Sequence, residues 1–191
     1  MDSLPRMLVA FFGLFASGAA IAHTGIQSEG IATGLIHPFL GLDHLLAMVA
    51  VGVWAVQLGG RYLLIVPAVF VVSMAAGAIV GALGVAVPHV ESAVALSVLV
   101  LGLLVALSVR AAWYWAVSLV AVFALFHGHA HGTEIPAFSQ PWQYFLGFLI
   151  ATALLHALGV AAAIILKRRP VILRVGGAAM SLLGAWLVLS N

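Results

Sequence analysis

"YLLIVPAVFVVSMAAGAIVGALGVA", residues 62 to 86, runs for 25 residues without a charged side chain. A helix rises ~1.5 Å per residue and the hydrocarbon core of a bilayer is ~30 Å thick, so about 20 such residues cross it. Similar stretches recur on both sides of this one, giving candidate spans at 36–58, 62–86, 91–109, 111–131, 141–166 and 170–189. The breaks between them are short and carry the turn residues and charges that end helices: Gly59-Gly60-Arg61, Val87-Pro88-His89, Ser108-Val109-Arg110, the segment 133–141, and Lys167-Arg168-Arg169-Pro170. Backbone groups in lipid must be paired within their own segment, which leaves helices as the spanning elements. The expected fold is therefore all-α, a polytopic membrane helix bundle of six transmembrane helices forming one domain over residues 23–191.

Composition agrees. The chain is 65% hydrophobic and 6% charged, with a mean hydropathy of +1.26, which excludes an ordinary soluble domain. It has no cysteine, so disulfides, thiolate metal sites and thiol redox chemistry are absent. Residues 1–22 combine a short start containing Arg6, an apolar core from Met7 to Phe15, and small residues ending Ala20-Ile21-Ala22. That is the plan of a secretory signal peptide with an A-x-A cleavage site. The competing reading is an uncleaved leader that adds a seventh helix. Cleavage after Ala22 would expose His23, whose free amine and imidazole could hold a metal together.

With the mature N-terminus placed outside, Arg61, Arg110, Lys167, Arg168, Arg169 and Arg174 all fall on one side, and Glu29, Glu91 and Glu134 on the other. The positive-inside rule makes the basic side cytoplasmic and puts both mature termini outside, in a bacterial-type inner membrane. The basic residues read as topology anchors and headgroup contacts. Small residues in "GAIVGALG" (77–84), around Gly147 and Gly159, and in "GGAAMSLLGA" (176–185) suit close helix packing.

The remaining polar residues are gathered. "HPFLGLDHLLAM", residues 37–48, holds His37, Asp43, His44 and Met48. On a regular helix His37 and His44 lie two turns apart on nearly one face, with Met48 a turn below His44; Pro38 and Gly41 instead favour a helix start or a break. "FHGHAHGTE", residues 126–134, places His127, His131 and Glu134 in an i, i+4, i+7 stripe, with His129 facing elsewhere. Two imidazoles a turn apart can hold a divalent ion, and a nearby carboxylate adds an oxygen donor or compensating charge. His156 sits mid-span in "LLHALGV", where an ionisable group is costly and rarely idle. His89, in an outer loop, reads as a solvated histidine. These groups lie at the outer end or midplane of their helices, which suggests an outward-opening site with a path down toward His156. Imidazole and carboxylate without thiolate suit Ni²⁺, Co²⁺, Zn²⁺ or Cu²⁺. Imidazoles bind metal only when neutral, so uptake should weaken as external pH falls through the histidine range.

The two motifs, with a signal-like leader before them and a histidine in a later span, resemble the HupE/UreJ family of hydrogenase- and urease-associated membrane proteins over essentially the whole chain. The resemblance implies a nickel permease, secondary or facilitated, that supplies metalloenzyme assembly. It also implies metal handling by His37, Asp43 and His44 in the first motif, and by His127, His131 and Glu134 in the second, with His129 at a variable position. The first motif is similar to the His-x₄-Asp-His signature of larger nickel/cobalt transporters, except that five residues separate His37 from Asp43 here. No prosthetic group is expected; haem would call for a different histidine spacing. The expected partners are a divalent metal ion, with Ni²⁺ as cargo, and the lipid bilayer, with no nucleic acid; a homo-oligomer stays open. Two other functions fit the ligand chemistry: an intramembrane zinc-dependent hydrolase, although neither H-E-x-x-H nor G-x-S-x-G is present, and a metal-binding chaperone or sensor that does not move ions.

Overall fold

The computed structural model describes residues 30–136 and 140–191. The leader over 1–22, His23 and Glu29 lie outside the described residues. Among the described residues seven α-helices follow one another: α1 Ile31–Leu40, α2 Leu42–Leu58, α3 Tyr62–Ala82, α4 Val90–Leu107, α5 Trp113–Thr133, α6 Pro141–Ile165 and α7 Pro170–Ser190, with a 3₁₀ turn at Leu166–Arg168 extending α6. Helices α3 to α7 are each long and apolar enough to cross a membrane, and α1 with α2 qualify together as one span bent by 89°. The chain is thus an all-helical, multi-pass membrane protein.

The first span departs from the continuous 36–58 helix that hydropathy suggests. It begins earlier, at Ile31, and breaks at Gly41, whose φ of −94° and ψ of 112° are extended rather than helical. A side chain there would crowd its own neighbours, since a Cβ would stand 3.0 Å from both Asp43 Oδ1 and His44 Nδ1. Irregular backbone at membrane depth is tolerated where protein covers it, and α1 and α2 both lie against α6.

The helices associate chiefly in three groups: α1 and α2 on α6, α3 on α5, and α4 on α7. Glycine sets the closest contacts. In the α3–α5 pair a Cβ on Gly77 would meet the Leu125 carbonyl, and one on Gly128 the Met74 carbonyl, so the two backbones touch directly. Van der Waals contact between backbones replaces the hydrophobic drive that lipid does not supply. Large apolar side chains such as Leu64, Val72, Leu182 and Leu189 point outward, as a lipid-facing surface requires.

The two ends of the bundle differ chemically. At one end the Trp54 indole donates to the Val109 carbonyl (3.0 Å), Gln57 Nε2 to Val105 (3.1 Å) and Arg174 Nε to Ala106 (2.9 Å), while Arg61 stands 5.7 Å over the Trp113 ring. Exposed Trp113, Tyr114 and Trp115 make an aromatic edge there, of the kind found at membrane–water interfaces. At the other end His37 meets Glu134 and His129 meets the α3–α4 connection.

Gly128→Leu should destabilise the bundle by several kcal/mol, because α3 and α5 would have to part along their contact. A thermal unfolding midpoint in detergent equal to wild type would contradict this packing.

Candidate metal centre

The break at Gly41 starts α2 with Asp43 in its first turn. The Asp43 carboxylate accepts two hydrogen bonds through Oδ1, from the His44 backbone N–H (2.9 Å) and from His44 Nδ1 (3.0 Å). A carboxylate accepts only, so the ring proton of His44 resides on Nδ1. His44 Nε2 is left as a bare lone pair, buried and without a hydrogen-bond partner. This is the arrangement by which an outer carboxylate orients a metal-binding imidazole.

On α5, His127 and His131 are fully buried one turn apart. Ser97 of α4 decides the tautomer of the first. Its Oγ donates its single proton to the Val94 carbonyl (2.6 Å) and lies 2.8 Å from His127 Nε2. The hydroxyl therefore accepts from Nε2–H, which leaves His127 Nδ1 as a second bare, unpartnered nitrogen. His131 has no hydrogen-bond partner on either ring nitrogen; its ring stacks on Phe148, with centroids 5.1 Å apart. The His44 ring lies 4.5 Å from that of His131 and 4.9 Å from that of His127. Three imidazole rings from two helices thus meet inside the bundle, each with a buried nitrogen that has no hydrogen-bond partner.

A second, outer group adjoins the first. His37 Nε2 donates to Glu134 Oε2 at 2.9 Å, and His37, His131 and Glu134 each offer a donor atom, all within 4.8 Å of one another. Donors on one ion stand no further apart than roughly twice the ~2.1 Å metal–nitrogen bond, so a modest contraction would close this triad on a cation. Glu134 follows the end of α5, half exposed, outside the membrane-spanning segment. The hydrogen bond from His37, working against partial burial, holds its carboxyl below the ordinary carboxylate range. His131 belongs to both groups.

The sequence expectations fare unevenly in space. His127 and His131 share a face of α5 as their spacing requires, while Glu134 lies just past the helix end, within reach of His131. His37 and His44 do not share a helix face, because Gly41 turns α1 away; instead each ring reaches His131 separately, at 4.9 Å and 4.5 Å. His129 turns from the cluster and donates Nε2 to the Val85 carbonyl at 2.7 Å, tying α5 to the α3–α4 connection. Met48 is fully buried in the core below His44. His156 is buried with both nitrogens unpartnered, and it is separated from the cluster by Phe70, whose ring lies 5.6 Å from His127 and 5.0 Å from His156. His89 is exposed at the start of α4 with a left-handed φ of 59°. Sequence reading missed Ser97, Phe70 and Phe148, and also Tyr144, whose buried hydroxyl has no partner and whose ring is 5.5 Å from His37. Ser97 left a signal as a lone hydroxyl in the apolar run "ALSVLVLG"; the aromatics left none, because they resemble any other core residue.

The model of the family described as HupE / UreJ protein matches residues 9–187 of this chain. The chain belongs to the HupE/UreJ family. Protein HupE of Rhizobium leguminosarum bv. viciae is 50% identical over 171 residues, covering 88% of this chain and 90% of that protein. No solved structure matches. For this HupE/UreJ member, then, the histidine cluster between α2 and α5 is described on its own geometry.

Two measurements check that geometry. Ser97→Ala frees the His127 proton to change nitrogens, and loss of such a supporting contact should weaken Ni²⁺ binding by about 10- to 100-fold in equilibrium dialysis. An unchanged affinity would mean that Ser97 does not set the ring. The lowered Glu134 pKa contributes stability above the ordinary carboxylate range, and that stability is lost as pH falls through the lowered value. Melting curves of wild type and Glu134→Gln should therefore differ slightly at pH 6, by no more than about 1 kcal/mol for so exposed a pair, and converge in strong acid; a gap that widens in acid would refute the assignment.

Proposed function

We propose that the protein is a divalent transition-metal importer, with Ni²⁺ as the best-fitting cargo, that supplies metalloenzyme maturation of the hydrogenase or urease type. One observation carries the reading: His44 Nε2, His127 Nδ1 and both ring nitrogens of His131, one of which must carry a lone pair in the neutral ring, are buried without hydrogen-bond partners, and the His44 ring stands 4.5 to 4.9 Å from the other two beside an outer group with a carboxylate. Buried polar atoms without partners are costly, and a cation that accepts their lone pairs removes that cost. Imidazole nitrogen and carboxylate oxygen, in a chain without cysteine, suit Ni²⁺, Co²⁺, Zn²⁺ and Cu²⁺ and fit Cu⁺, Mg²⁺ and Ca²⁺ poorly. Asp43 and Glu134 supply two negative charges beside the cluster, which balance a divalent ion in a low-dielectric setting.

The geometry supports a stepwise exchange. A hydrated ion arriving from outside meets His37, Glu134 and His131, which replace part of its water shell. His131, shared by both groups, then passes it to His44 and His127. Phe70, whose ring touches both His127 (5.6 Å) and His156 (5.0 Å), lies beside the way inward from the cluster. The charge distribution supports a cytoplasmic basic end and an outward-facing cluster in a bacterial-type inner membrane, with both mature termini outside. The chain's resemblance to nickel permeases favours a carrier over a metallohydrolase, and the donor exchange through His131 favours release over permanent retention.

Cells producing the protein should accumulate radiolabelled Ni²⁺, and His44→Ala should lower uptake at least about tenfold, since it removes a direct ligand. Uptake should fall as external pH drops far enough for the histidines to take up protons, because protons compete for the same lone pairs. Uptake by His44→Ala equal to wild type would sink the proposal. Liposome flux with purified protein separates a carrier from a chaperone: binding without flux would favour the chaperone.

A further inference from the structure

The basic end of the bundle carries six cationic side chains, Arg61, Arg110, Lys167, Arg168, Arg169 and Arg174, and among the described residues none of them forms an ion pair. The described carboxylates, Asp43, Glu91 and Glu134, are remote from it, in the two motifs of the metal centre or at the start of α4. Arg61 is occupied by Trp113, and Arg174 by the Ala106 carbonyl. Arg110 and Lys167 are different. Both line a cavity of about 620 Å³ bounded by the end of α2, the α4–α5 connection, the end of α6 and the start of α7. Its other walls are largely apolar, including Leu58, Ile164 and Leu173, and Gln57 and Ser108 supply the neutral polar side chains. Two cations without counter-charge in an apolar-walled recess at the membrane surface call for an anion that also has hydrocarbon.

A second cavity adjoins the first. A groove of about 670 Å³ runs between α3 and α6, and Ile164 lines both. Its α6 wall is a row of small residues, Ala153, Ala157 and Ala161, spaced one turn apart, and its α3 wall includes Leu64 and Pro67. From Ala153 to Ile164 the helix climbs about 16 Å, close to half the ~30 Å hydrocarbon thickness. The groove therefore has the depth of one leaflet, counted from the basic surface, and His156 is among its deeper lining residues. A trough of that depth and polarity matches an acyl chain, and the cationic recess at its shallow end matches a headgroup phosphate.

We infer that this end of the protein holds one anionic phospholipid of the basic-side leaflet, its phosphate on Arg110 and Lys167 and one acyl chain in the α3–α6 groove reaching His156. This site is separate from the metal centre, and it does not depend on what passes through the bundle. The bound chain would seal His156 from the surrounding bilayer along the side where α3 and α6 part.

Native mass spectrometry of the full-length protein in detergent tests this, using phosphatidylglycerol and phosphatidylcholine with identical acyl chains. Wild type should retain a single phosphatidylglycerol at a lipid concentration at least about tenfold below that needed for phosphatidylcholine, because the choline ammonium cancels the net charge that two nearby cations attract. Arg110→Gln with Lys167→Gln should erase the preference, and Arg110→Lys with Lys167→Arg should keep it. Ala157→Trp, which fills the groove, should weaken the first adduct of both lipids. Equal retention of the two lipids by wild type would overturn the proposal without recourse to any variant. So would a preference that survives in the glutamine pair, displacement of the lipid by millimolar inorganic phosphate, which would mark a free-anion site, or a lipid-free two-chain mass, which would place a second copy in the groove.

Discussion

Two helices at nearly a right angle, joined through one extended glycine, create the conditions for everything at the outer end of this bundle. Had residues 31–58 formed one straight helix, His37 would lie two turns above His44 and point along the same face. The turn at Gly41 instead sends α1 across the mouth of the bundle, where His37 meets Glu134, a residue 97 positions later. It also exposes the first backbone N–H groups of α2 and brings Asp43 back onto His44. A single backbone choice thus fixes the ring orientation of one ligand, the placement of another, and the entrance between them.

Close packing supplies the other half of the site. The α3–α5 contact, made possible by glycines on both helices, holds Phe70 beside His127 and fixes the histidine stripe of α5 within the bundle. Around this stripe the hydrogen bonds are sparse but directed. Ser97 commits its only proton to a carbonyl, so that His127 must donate to it and present its other nitrogen inward. Asp43 does the same for His44 from the opposite side of the ring, through Nδ1. The polar atoms left over are those a cation would satisfy.

Much of this was legible in the sequence, for identifiable reasons. Spans were visible because lipid tolerates only long apolar helices, and the small-residue faces because backbone contact in a membrane leaves few alternatives. The pairing of His127 with His131 was visible because α5 continues regularly through both, and Glu134 stays within reach of His131 just past the helix end. The angle at Gly41 was not, since Pro38 and Gly41 announce irregularity without stating its direction. His129 faces away from the stripe, as its spacing suggests, but its partner, the Val85 carbonyl, could not be read, because a backbone acceptor leaves no trace in residue identity. Tyr144 and Phe148 shape the pocket from α6, yet an aromatic in an apolar run carries no mark that distinguishes a wall from a core. The two cavities at the basic end were equally hidden, because recesses arise from where small side chains line up across helices.

The histidine cluster also bridges parts of the molecule that are otherwise joined loosely. His37 and His44 ride on α1 and α2, which lean on α6, whereas His127 and His131 ride on α5, which is locked to α3. Under the proposed function, an ion coordinated by rings from both sides would act as a removable rivet between two bodies. Its arrival and departure would then set how firmly those bodies are joined, so that the cargo would govern the stiffness of the structure that carries it.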